Sequence, residues 1–158
     1  MQSADAPARP PVLPLIGLAV GLWAMVPPYV GPKLANLQSR VEIADHIVPG
    51  VVLLAVSAVC VIRARRGPVT DSFPLVAGFT VALAGLWMTA THLPLLKQAQ
   101  HHEAGVRMGT AIWHTTPGVV VLVLGLAWVA TTWSTTAEAP PPPPTKAGRA
   151  QPKKVNRT

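Results

Sequence analysis

The stretch HIVPGVVLLAVSAVCVIRARR, residues 46–66, decides the fold. From Val51 to Ile62 every residue but Ser57 is apolar or Ala, and three arginines follow within four positions. The run is continuous rather than alternating. A lipid-facing barrel strand would alternate, so the pattern reads as a membrane helix. The arginines mark the end that stays in the cytoplasm.

Three other runs have the same character. Together they give Val12 to Val30, about Ile43 or Ile47 to Ile62, Pro74 to Leu96, and Ala111 to Trp133. Each is near the roughly 20 helical residues that cross a bilayer. Only 12% of the 158 residues are charged, against about a quarter in a soluble domain, which excludes an ordinary soluble fold. The first run is longer than a signal-peptide core, and VPPYVGPKLA after it offers no small-x-small cleavage site, so it reads as a retained span.

The positive charges orient the spans. Arg9, Arg63, Arg65, Arg66, Lys146, Arg149, Lys153, Lys154 and Arg157 fall on one side, and Lys33, Arg40, Lys97 and Arg107 on the other. Both termini are therefore expected in the cytoplasm, with the two longer connections outside. Richness in Ala, Val, Gly and Pro suits a GC-rich bacterial genome, and hence a multi-pass protein of the inner, cytoplasmic membrane.

The motif that opens residues 46–66 returns. HIVPGVVLL at 46–54 and HTTPGVVVL at 114–122 agree at six of nine positions, at an offset of 68. GLWAM at 21–25 is echoed by GLWMT at 85–89, at an offset of 64. Two tandem copies of a two-span hairpin account for both echoes, with repeat one at about 12–63 and repeat two at about 74–133. Such copies are parallel and related by an axis along the membrane normal. The expected fold is all-α: four transmembrane helices as two hairpins (residues 12–135), preceded by a short cytoplasmic N-terminus (1–11). A disordered, Pro-rich, basic cytoplasmic tail follows (136–158), with five consecutive prolines at 140–144. Basic charge concentrated in that tail, without interleaved aromatics, argues against nucleic-acid binding despite a net charge of +7.

Pro49 and Pro117 allow two geometries. They can begin their helices, with Asp45 or Thr115 and Thr116 as caps. Or the helices begin earlier and run through them, freeing the carbonyls of Asp45 and Trp113 from their helical donors. Leu34, Leu37, Val41, Ala44 and Val48 recur at helical spacing, which agrees with the second.

Chemistry is carried by five histidines, all at or near the outer face. His46 and His114 open the second and fourth spans, and repetition puts them at one depth on either side of the axis. His92 lies inside the third span, where a titratable group is a functional candidate by default. Met88, four residues earlier, shares its helix face. Glu42, Asp45 and His46 stand at i, i+3 and i+4, a spacing that can hold a metal, though Thr110 and Trp113 replace the carboxylates in the second copy. His101 and His102 add a weak metal signal in the third connection. The plainer readings are a neutral imidazole bonded to a neighbouring carbonyl for His92 and a solvated, capping stretch for residues 42–46. Cys60, alone, excludes an internal disulfide and reads as a small buried hydrophobe.

No nucleotide loop, nucleophile elbow or zinc-protease pattern is present. The expected function is that of a non-catalytic accessory or scaffold subunit of a membrane complex, or a homodimer, with the lipid bilayer as its surroundings. The alternative is a redox membrane protein binding haem, quinone or a transition metal at the outer face. Its cofactor site would draw on His92, His46, His114 and Met88, and a metal site on His46, Glu42, Asp45, His101 and His102. Trp23 and Trp87, at matching positions, are expected to pack against the other copy.

Overall fold

A computed structural model describes residues 12–27, 29, 40–66, 72–101 and 106–137. The tail beyond 137, the first eleven residues and His102 lie outside the described residues, as do the side chains of 40–42 and 135–137. The fold is all-helical: α1 (Val12–Ala24), α2 (Arg40–Arg66), α3 (Phe73–Gln100) and α4 (Met108–Ala137), with no strand among the described residues.

The last three helices are long and apolar enough to cross a membrane. At 1.5 Å per residue they reach about 40 Å or more, against about 30 Å of hydrocarbon. Each extends a few residues beyond the apolar run that announced it. α1 has 13 residues, about 20 Å, and is a shorter apolar helix. The ends of α3 follow simple chemistry. It starts with Pro74 in its first turn, where the missing N–H costs nothing, and closes with the His101 N–H returned to the Lys97 carbonyl.

Both prolines of the repeated motif lie inside their helices, nine residues after Arg40 and nine after Met108. The through-running geometry therefore holds, and the capping one does not. Asp45 sits within α2 rather than at its start. Thr115 and Thr116 lie past the first turn of α4 and donate back to the Ala111 and Ile112 carbonyls, 2.8 and 2.7 Å.

The helices form a ring. α1 packs on α2 and α4, α3 on α2 and α4, and no close backbone approach joins α1 to α3 or α2 to α4 among the described residues. Successive helices run antiparallel. A Cβ on Gly17 would meet Ser57 while one on Gly21 would meet Leu54, so residue numbers rise along α1 as they fall along α2. The most extensive contact is α3 on α4. There a Cβ on Gly85 would run into the Leu122 backbone, one on Gly125 into Ala82, one on Gly118 into Met88 and Thr89, and one on Gly78 into Val129. Glycines at seven-residue spacing on both helices let the backbones touch, as membrane helices need when no hydrophobic force joins them in lipid.

The polarity is inverted relative to a soluble bundle. Leu22, Val76, Leu83, Val123 and Leu126 face outward, while His46, His92, His114, Thr110, Thr115 and Ser57 are buried. Trp87 departs from expectation. It is 62% exposed, and its indole N–H donates to Asp45 Oδ1 of the first hairpin at 3.3 Å. Gly85 and Met88 occupy the inner face of that turn, which turns residue 87 outward. Below the histidines the core is apolar, built on Leu53, Val81, Met88, Val121 and Trp128.

Candidate metal centre

Three helices deliver one histidine each to a single point. His46 lies in the second turn of α2, His114 at the equivalent place in α4, and His92 two turns before the end of α3. Antiparallel order brings these positions to the same end of the bundle. Their relative exposures are 0%, 1% and 3%. The His46 ring stands edge-on at 4.7 Å from His92 and 5.7 Å from His114, while His92 and His114 are stacked 6.3 Å apart at 6°. Across the α2–α4 diagonal, where the backbones do not approach, these rings make the bridge.

Hydrogen bonds decide which nitrogen two of the rings offer. His46 Nδ1 is 3.1 Å from the carbonyl of Ala24, the last residue of α1. A carbonyl only accepts, so Nδ1 carries the proton and Nε2 keeps its lone pair. The bond also caps a carbonyl that has no donor within its own helix. His92 Nδ1 is 2.7 Å from the Met88 carbonyl, which fixes the same tautomer. The Thr91 hydroxyl donates to that carbonyl as well, at 3.1 Å. His46 Nε2 is buried without a hydrogen-bond partner. Leaving such a group bare costs about 1–3 kcal/mol, which asks for a ligand.

One ligand atom from each of the three rings lies within 4.8 Å of the other two. Imidazole nitrogens bind transition metals at about 2.0–2.1 Å, so each ring has to move by less than about 1 Å to close on an ion. The carbonyl bonds at Nδ1 are what metal-bound histidines commonly have behind them. They orient the ring and raise the basicity of the nitrogen that binds.

The other candidate residues lie elsewhere. Met88 contributes its carbonyl to His92, and its side chain packs in the apolar core. Asp45 is half-buried and accepts the Trp87 indole N–H. His101 is exposed at the end of α3 and does not join the three rings. The side chain of Glu42, like His102, is outside the described residues. Sequence reasoning missed Ala24, whose part is played by a backbone carbonyl. The signal was present: the echo of GLWAM in GLWMT matches Ala24 to Met88, and each of these carbonyls accepts a histidine Nδ1–H.

Comparison with protein-family models, with curated proteins and with solved structures gives no match. The chemistry of the site has to be read from its own geometry.

Proposed function

We propose that this chain is a small multi-pass membrane protein that holds one transition-metal ion between His46, His92 and His114. The observation that carries this reading is the convergence of three buried imidazoles from three helices, with Nδ1 of two of them tied back to carbonyls. Three imidazole nitrogens within 4.8 Å of one another suit zinc, copper, iron or nickel. A metal ion is favoured over haem or quinone by two features. The third ring stands 4.7 and 5.7 Å from the other two, inside the area that a macrocycle between His92 and His114 would need. Gly118 also holds α3 and α4 backbone to backbone about one turn from the rings. No catalytic residue is assigned. An accessory subunit remains a suitable setting for such a site, with the bilayer and a membrane complex or second copy as partners.

The membrane topology belongs to the same reading. The histidines lie at the end of α2 away from Arg63, Arg65 and Arg66, so the positive-inside rule puts the site on the outer side of an inner membrane and both termini in the cytoplasm. That requires the segment containing α1 to cross as a fourth span, continuing past Ala24. Two tandem hairpins are supported by paired contacts. Gly21 faces Leu54 as Gly85 faces Leu122, and Gly50 faces Met25 as Gly118 faces Thr89, at the offsets of the two sequence echoes.

Metal analysis of the full chain purified in detergent tests the function. The expected result is one equivalent of bound metal, lost in His92→Asn and His114→Asn variants whose circular dichroism keeps the helical signal. A wild-type protein that stays metal-free after exposure to copper, zinc, iron and nickel salts would sink the reading. A Soret band that disappears in the same variants would replace the metal ion by haem.

A further inference from the structure

The carboxylate of Asp45 stands at membrane depth beside the three histidines, and its use there rests on the metal reading. Trp87 lies close to the middle of α3, about 20 Å from either end, and the middle of a crossing helix lies in hydrocarbon. Its indole N–H donates to Asp45 Oδ1 at 3.3 Å, so the carboxylate is within one side chain's reach of that depth. A charged group in this region is costly and marks function by default. His46 is the next residue in the chain. Neighbouring side chains on a helix diverge by about 100°. Asp45 therefore turns toward Trp87, while His46 turns inward to His92 and His114. Neighbouring Cα atoms are about 3.8 Å apart, which with the two side chains puts the carboxylate about 10 Å from the rings, beside the site rather than in it.

Packing does not ask for an acid at this position. The offset of 68 that matches His46 to His114 also matches Asp45 to Trp113, and both are half-buried. The offset of 64 matches Trp23 to Trp87. The second copy thus carries an aromatic ring immediately before its histidine, where the first carries a carboxylate. The acid is a departure of one copy from the other, and it puts a negative charge on one side of the three rings.

We infer that Asp45 is a counter-charge of the metal centre, held in place by Trp87. An ion bound by the three imidazoles brings positive charge into a poorly solvated region, where charges act on one another more strongly than in water. Asp45 attracts that ion without ligating it. Trp87 is a positioning residue: its N–H keeps the carboxylate beside the site and satisfies an oxygen that lipid cannot. The attraction is proportional to the charge of the ion, so Asp45 favours a divalent over a monovalent ion on the same nitrogens. Other charges near the site add to this attraction or oppose it, without changing the difference that position 45 makes.

The experiment uses the full chain in lipid nanodiscs, with Zn2+ and Ag+ each titrated against a chelator of known affinity. Asp45→Asn removes the charge, while the amide oxygen still accepts the indole N–H. The expected result is Zn2+ bound about a hundredfold more weakly and Ag+ about tenfold, the divalent factor being the square of the monovalent one. Trp87→Phe alone should weaken Zn2+ about tenfold, and should add little when combined with Asp45→Asn. Unchanged affinities in Asp45→Asn, or equal factors for the two ions, would overturn the counter-charge. Trp87→Phe and Asp45→Asn effects that add in full would overturn the positioning role. Those outcomes leave a metal site standing. A wild-type chain that binds neither ion, or a His92→Asn variant that binds both as tightly, would overturn the site itself.

Discussion

In the α3–α4 hairpin, glycines meet backbone; in the α1–α2 hairpin, the first atoms they meet belong to side chains. Gly78 and Gly85 on one helix interleave with Gly118 and Gly125 on the other. At each, an added Cβ would strike main-chain atoms of the facing helix. Gly17 of the first hairpin faces the movable hydroxyl of Ser57, while Gly50 faces the Met25 side chain first and then the Gly21 carbonyl, and Gly21 faces both Leu54 and the Gly50 carbonyl. Ser57 stands where the offset of 68 places Gly125 in the second hairpin, and its hydroxyl is buried without a partner. The rigid hairpin supplies two of the three histidines, His92 and His114. The adaptable one supplies His46, the ring whose Nε2 is left bare. The difference teaches where the site gets its precision: two rings are fixed by backbone contact, and the third is held by a carbonyl at a helix end.

The sharpest way to break this contrast is Gly85→Ala. The Leu122 backbone cannot yield without separating α3 from α4, so a loss of about 3 kcal/mol is expected, read as a lowered unfolding midpoint in detergent. An unchanged midpoint would mean the two backbones are not in contact. Gly118→Ala is the next largest and reaches the site. It presses on the Met88 peptide, whose carbonyl orients His92, so metal affinity should fall about 10- to 100-fold. Titration of the purified protein against a metal chelator of known affinity reads it. Gly17→Ala should cost least, about 1 kcal/mol, because the obstacle is the Ser57 side chain. Combining it with Ser57→Gly should recover most of the loss, and a double variant no more stable than Gly17→Ala would show that the first hairpin is backbone-limited too.

Much of this was legible in the chain. The apolar runs located α2, α3 and α4 to within a few residues, because a helix in lipid must be apolar over its full crossing length. The histidine before each Pro-Gly pointed to two of the three rings that converge, and His92, within a span, to the third. Less legible were the ends. Pro49 and Pro117 can open a helix or lie within one, and only packing of the preceding turn selects the second. α1 is shorter than its run because Pro27 and Pro28 follow soon after Ala24 and cannot continue a helix ladder.

The sequence by itself determined an all-helical chain with long apolar helices, a biased distribution of charge and histidines gathered toward one end. Tertiary structure alone decided that His46, His92 and His114 meet while His101 does not. Convergence depends on helix rotation, which turns by about 100° per residue, and on the close approach that glycines permit. It also decided the tautomers of His46 and His92, because the carbonyls that fix them belong to folded backbone, one of them at the end of another helix.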